Sequence, residues 1–333
     1  MGGSLQSTLS PEKLLKEMAG LWITLGKESG GEAGAGVLRA CSMTLVVAAE
    51  DSEDFAALGE TVAALMPEHP ARVIVVRLRG GSGGGLAARV FAQCWMPFGQ
   101  RRQICCEQIE ITGPESSLED AASVVDPVIA PDLPVIVWCR SARILDAPGF
   151  GRMASLARKV IVDSTVWPDG REGIRRVTEL AARGVEVGDL AWTRLTRWRE
   201  TLARLFENPR YKKVLPAVNR VEIGYGGTAA PAAARYMGVW VRDALSSAGA
   251  KAELRLAADA PERAGYLLRV ALNGPEFQLR LTRREDRLIV EVDSLSTCTN
   301  LPQPTDYLLL REELGIVERD PVFEQVSAAA ARL

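Results

Sequence analysis

Ser42–Leu78 reads SMTLVVAAEDSEDFAALGETVAALMPEHPARVIVVRL. The near-continuous aliphatic run Ser42–Glu50 ends in an acidic, polar turn, the pattern of a strand buried on both faces. DSEDFAALGETVAALM then reads as a helix that stops at Pro67, and Arg72–Leu78 is a second buried strand. Strand, helix, strand is a βαβ unit whose parallel crossover should be right-handed. This unit predicts an α/β fold on a mainly parallel sheet.

Towards the N-terminus, Ser10 is placed to cap and Pro11 to open a helix, PEKLLKEMAGLW, followed by a loop in the glycine-rich GKESGGEAGAG. Towards the C-terminus, RGGSGGG (79–85) leads to strands over 88–95 and 102–111, an antiparallel component, and then to a helix over 117–129. Two more buried runs, LPVIVWC (133–139) and KVIVDS (159–164), complete an open, mainly parallel sheet and close a first domain over residues 1–170. The second domain, 171–333, opens with the helices REGIRRVTELAARG and DLAWTRLTRWRETLARLFENP. It continues with strand VNRVEIGY, helix PAAARYMGVWVRDALSSAG and strands AELRLA, GYLLRVAL, FQLRLT and RLIVEVDS. Short links such as NGPE and RRED predict a meander, so this domain is expected to be α+β.

Composition narrows the function. A chain of 333 residues with 47% apolar and 25% charged residues has enough apolar sequence for two packed cores. The formal net charge of −2 provides no general attraction for nucleic acid or an anionic membrane, and no run approaches the ~20 apolar residues of a membrane helix. The N-terminus lacks a signal-peptide pattern, which predicts a cytoplasmic protein. The six cysteines, Cys41, Cys94, Cys105, Cys106, Cys139 and Cys298, show no CxxC spacing and mostly lie in apolar runs, so all are expected to be unpaired.

Catalytic signals are sparse. The single histidine, His69, sits between a helix and a strand and reads as a connector; no GxSxG elbow accompanies it. Neither metal-ligand spacing nor a full dinucleotide fingerprint is present, so no catalytic residue, metal or cofactor is assigned. RGGSGGG lacks the GK[ST] ending of a phosphate loop and reads as a surface loop or hairpin. GYGGTAAPAAA (224–234) is better placed, between a strand and a helix, and makes Gly226, Gly227 and Thr228 candidates for holding an anion, with a structural turn as the plainer reading.

The stretch DLAWTRLTRWRETLARLF (189–206) carries the most information. As one helix capped by Asp189, it gathers Ala191, Leu195, Trp198, Leu202, Leu205 and Phe206 on one face, with Arg194, Arg197 and Arg204 beside them. The first set reads as core. The arginines are either a solvated face or a site for a partner or phosphate, and Arg199 lies apart, where it could stack on Trp192.

This stretch resembles the signature of the OpcA family of glucose-6-phosphate dehydrogenase assembly proteins. HPARVIVV (69–76), DLPVIVWCR (132–140) and ARKVIVDS (157–164) support the resemblance, with Cys139 standing where relatives often carry a second tryptophan. The resemblance implies a non-catalytic bacterial protein that binds glucose-6-phosphate dehydrogenase, promotes its active oligomer and so supports NADPH supply through the oxidative pentose phosphate pathway. Asp189, Trp192 and Trp198 would be structural signature residues. The alternative from another class is a regulator or enzyme that takes a sugar phosphate, NADP or another nucleotide.

Overall fold

The computed structural model describes residues 9–28, 37–81, 83–96, 103–316 and 318–333. Most of the glycine-rich GKESGGEAGAG segment and Ser82 of RGGSGGG lie outside the described residues. The chain divides into two compact units, residues 1–162 with 185–188 and residues 163–184 with 189–333.

The first unit holds helix α1 (Pro11–Glu28), strands β1 (Val37–Arg39) and β2 (Met43–Glu50), helix α2 (Phe55–Leu65), and strands β3 (Ala71–Arg79), β4 (Ala87–Trp95) and β5 (Gln103–Pro114). Helix α3 (Leu118–Val125), strand β6 (Val135–Cys139), helices α4 (Ala142–Asp146) and α5 (Phe150–Ser155), and strands β7 (Lys159–Val162) and β8 (Glu186–Asp189) complete the sheet and its cover. The strand order is β1-β5-β3-β2-β6-β7-β8, with β4 on β5. β2 pairs in parallel with β3 and β6, as a βαβ start requires. Seven consecutive residues of β2 are buried, as are all of β6 and β7, so neither face of the sheet centre meets water. Asp54 caps α2 through its carboxylate, which accepts from the Ala56 and Ala57 amides. The His69 amide donates to Leu65 O at the other end of this helix.

RGGSGGG does not make a hairpin. β3 pairs with β5 in parallel and β4 pairs with β5 antiparallel, so the loop carries the chain across β5 rather than folding β4 onto β3. The same register corrects the cysteine expectation. Cys94 stands opposite Cys105 with Cα atoms 4.1 Å apart, and the two form a disulfide. Linear spacing could not reveal a pair made by strand register. Cys41, Cys106, Cys139 and Cys298 are free thiols.

The second unit contains α6 (Gly170–Ala182), α7 (Leu190–Thr193), α8 (Thr196–Phe206), α9 (Pro209–Lys212), strand β9 (Arg220–Gly226) and helix α10 (Ala232–Ser247). Strands β10 (Glu253–Ala260), β11 (Leu267–Gly274), β12 (Phe277–Arg284), β13 (Arg287–Val292) and β14 (Leu295–Asn300) follow, then α11 (Asp306–Gly315) and α12 (Pro321–Ala330). The sheet order is β10-β9-β11-β12-β13-β14. β11 to β14 form an antiparallel meander, while β10 lies parallel to β9 at the opposite edge. Helix α10 packs on β9 and β10, with Gly238 close enough that a Cβ there would lie 3.1 Å from Leu254. In β12, Phe277, Leu279 and Leu281 are buried while Gln278 and Arg280 are exposed, so one face of this sheet is solvated. Strands β1, β8 and β14 and helices α9, α11 and α12 are not anticipated from sequence.

Candidate functional site

The signature stretch does not form one helix. α7 ends at Thr193 with Arg194 as its C-cap, the amides of Arg194 and Leu195 turn back to Leu190 O and Trp192 O, and α8 begins at Thr196. The 100° count is interrupted at the break, yet Arg194 and Arg197 still line one depression; what sets Arg194 apart is that it has a partner. Both of its terminal nitrogens donate to Asp163, at 2.8 and 2.7 Å. Such a bidentate, partly buried pair is a stronger tie than an exposed ion pair. Arg197 and Arg204 are exposed on α8 and make no ion pair among the described residues. Leu195, Trp198 and Leu202 are buried, as expected for the apolar face.

Asp189 is wholly buried and joins several segments. One carboxylate oxygen accepts from the Ser164 and Ala191 amides, each at 2.9 Å, and the other from the Tyr236 hydroxyl at 2.8 Å. Burial, and secondarily the charge of Asp163, raises its pKa to about 6. Burial also pushes the Tyr236 phenol well above its ordinary value. Asp189 therefore caps α7 and anchors α10, with no open face toward a substrate.

Trp192 continues this role. Its indole N–H donates to Asp320, which itself caps α12, and its ring packs with Tyr236 and Phe323 at centroid separations of 6.1 and 5.9 Å. The Arg199 guanidinium lies 3.7 Å from the Trp192 ring centroid and donates to the Thr196 hydroxyl. Thr193 and Thr196 in turn donate to Glu313 and Glu312 on α11. The signature thus gathers α10, α11 and α12 around α7 and α8.

Two depressions border this arrangement. One, of about 670 Å³, is lined by Arg194, Arg197, Glu200, Arg311, Glu312 and prolines 302 and 304. The other, of about 290 Å³, is lined by Thr165, Arg194, Trp198, Tyr266, Arg283 and Gln303 among others. Tyr266 and Arg283 were not singled out in the sequence, because neither belongs to a motif and both come from the meander.

The GYGG turn is constrained elsewhere. The Gly226 amide donates to Tyr266 O and the Gly227 amide to Ala260 O, so neither is free for an anion. A Cβ on Gly226 would lie 1.7 Å from Arg263 O, and Gly227 has φ +101°. Thr228 is exposed. Among the described residues there is no group of three or more His, Cys, Asp or Glu side chains placed to hold a metal, and no helix is long and apolar enough to cross a membrane.

The chain is similar to known proteins along most of its length. It is 30% identical over 160 residues to the OxPP cycle protein OpcA of Nostoc punctiforme, covering 47% of this chain and 34% of that protein. It is 28% identical over 191 residues to the OpcA protein of Synechocystis, covering 56% and 39%. The chain thus spans roughly a third to two fifths of the length of these relatives. Among solved structures, the 3-ketoreductase KijD10 from Actinomadura kijaniata covers 87% of this chain and 95% of its own at 13% identity and a TM-score of 0.48, a likeness too low to bear on activity. The family model described as the glucose-6-phosphate dehydrogenase subunit N-terminal domain matches residues 62–179, and that of the C-terminal domain matches residues 185–327. With both models matched in order over most of the chain, this protein belongs to the OpcA family.

Proposed function

We propose that this chain is a non-catalytic, cytoplasmic partner of glucose-6-phosphate dehydrogenase, which binds the enzyme, favours its active oligomer and thereby supports NADPH production in the oxidative pentose phosphate pathway. The observation that carries this reading is the match to both family domains across residues 62–327, apart from 180–184. The chemistry is compatible with it. An activator must bind the active state of its partner better than the inactive state, and needs no acid, base or nucleophile of its own.

The docking residues we favour are Arg197 and Arg204. Positions i and i+7 lie about 20° apart around a helix, so both guanidiniums project from one side of α8 while Trp198 and Leu202 hold the other side in the core. Exposed arginines with no ion-pair partner suit an acidic surface. Added to the cognate dehydrogenase, the chain should raise turnover or lower the substrate requirement, and alone it should not reduce NADP with glucose 6-phosphate. Replacing both arginines by alanine should leave the melting temperature unchanged and abolish the activation. If the unmodified chain changes neither activity nor oligomer size at micromolar concentrations of both proteins, the assignment is wrong.

A further inference from the structure

The smaller cavity is lined by a cation, Arg283, that has no ion-pair partner among the described residues. Arg194 on its wall is matched by Asp163, but Arg283 is not matched by any carboxylate within salt-bridge distance among the described residues. Its Nε donates to Glu285 O at 3.1 Å and one terminal nitrogen donates to the Gln303 side-chain oxygen at 3.0 Å, both neutral acceptors. Arg263 also makes no ion pair among the described residues, and the two guanidiniums lie 5.6 and 5.2 Å from the centroid of the same ring, Tyr266. Burial lowers the pKa of Arg283; Tyr266 acts against this, the neighbouring Arg263 charge adds to it, and Asp286 offsets it only in part. Two cations held at one ring beside a cavity repel each other until an anion arrives.

The turn that carries Arg263 and Tyr266 is held in place before any ligand binds. Gly226 packs against Arg263 O, its amide donates to Tyr266 O, and Gly265 adopts φ +84°. The GYGG segment therefore acts on this site by positioning Arg263 and Tyr266, and its own amides are occupied. Gln303 fixes the remaining orientation of Arg283. A cationic group whose geometry is set in advance loses less entropy on binding than a free surface arginine.

We propose that the cavity bordered by Thr165, Arg194, Trp198, Tyr266, Arg283 and Gln303 binds a small sugar phosphate, with Arg283 taking the phosphate. Size selects within the anions. A volume of about 290 Å³ lies just below the ~300 to ~1,000 Å³ range of ligand pockets, which favours a monosaccharide phosphate over a dinucleotide such as NADP. Guanidinium recognises phosphate through paired N–H donors, and the Thr165 and Gln303 side chains on the cavity wall are polar groups suited to sugar hydroxyls.

The test uses the isolated full chain without any dehydrogenase, so its outcome is independent of the assembly role. Calorimetric titration with glucose 6-phosphate should show saturable binding, while glucose and NADP at the same concentrations show none and inorganic phosphate binds more weakly. Arg283→Gln should weaken glucose 6-phosphate binding by about ten-fold or more, as expected for loss of a charge-assisted hydrogen bond. Arg283→Lys should retain part of the affinity. Arg287→Gln, which removes the same charge from an exposed position outside the cavity, should retain all of it. Absence of glucose 6-phosphate binding overturns the proposal. So does equal loss in the Arg283→Gln and Arg287→Gln variants, and so does inorganic phosphate binding as tightly as the ester, which would mean that the sugar is not recognised.

Discussion

β2 and β12 are both eight-residue strands with a hydrogen-bonded neighbour on each side, yet they are built from opposite patterns. In β2 the residues Met43–Ala49 are all buried; in β12 burial alternates from Phe277 to Leu281. The first lies in a sheet with both faces covered, the second in a sheet with one face in water. A residue's tolerance to change therefore depends on how many faces of its sheet are covered as well as on its place within the strand.

The largest test of this contrast places a charge in each strand. Val46→Asp should abolish folding, because an ionised carboxylate with no partner in an apolar interior costs more than much of the ~5–15 kcal/mol that holds a domain together. Arg280→Thr on the solvated face should change stability by no more than about 0.5 kcal/mol. Circular dichroism and denaturant unfolding read both. Equal effects would erase the distinction between the sheets.

A smaller effect is expected within the signature. Trp198→Ala should destabilise the second unit by about 3–5 kcal/mol, because a large buried side chain is lost and the space closes only in part. A change below about 1 kcal/mol in denaturant unfolding would show that α8 is not anchored by this residue.

Asp189 gives a pH signature that Asp in an exposed cap would lack. Its folded pKa, about 6, stands above the unfolded value near 3.8, so the folded state holds its proton more tightly. Its contribution to stability is therefore greatest below the unfolded pKa, is lost as pH rises through about 4 to 6, and is flat above that, with a total change on the order of 3 kcal/mol. Asp189→Asn, which keeps acceptors for the Ser164 and Ala191 amides, should flatten this part of the profile. A variant whose unfolding free energy follows the same slope between pH 4 and 6 would show that another group is responsible.

The smallest of these stability effects belongs to the edge of the first sheet. Reduction of Cys94–Cys105, or Cys94→Ser, should lower stability by about 2–3 kcal/mol at most, since the bridge closes only a short loop with a separation of 11 residues. Mass spectrometry of unreduced, denatured protein should show this pair linked. Six free thiols would restore the reading made from spacing alone.

Much of the fold was legible because it rests on local periodicity. The runs around Val46, Ile74, Val137 and Ile161 are short, aliphatic and bounded by polar turns, and each became a buried strand of the first sheet. The meander strands showed alternation and short links. β1 is only three residues long and β14, LSTCTN, is polar and wholly exposed, so neither carries a hydrophobic pattern to read.

The candidate site was legible only in part. Asp189 as a cap, Trp198 as core and Arg199 against Trp192 each depend on spacing within one short segment, and sequence is enough for that. The pairing of Arg194 was not legible because its partner, Asp163, is 31 residues away and the helix is interrupted beside it. The amides of Gly226 and Gly227 looked available until strand pairing assigned them to Tyr266 and Ala260.

By itself, the sequence determined the buried and alternating strands of the two sheets, the α/β class of the first unit and the family, since these follow from periodicity, capping residues and motifs within short windows. Only the tertiary structure decided that Cys94 meets Cys105, that Asp189 receives the Tyr236 hydroxyl from 47 residues away, and that Trp192 reaches Asp320 across 128. It alone brought Arg194, Tyr266 and Arg283 to the wall of one cavity. Those pairings depend on register and on helix placement, which the packing of the whole unit sets and no local pattern encodes.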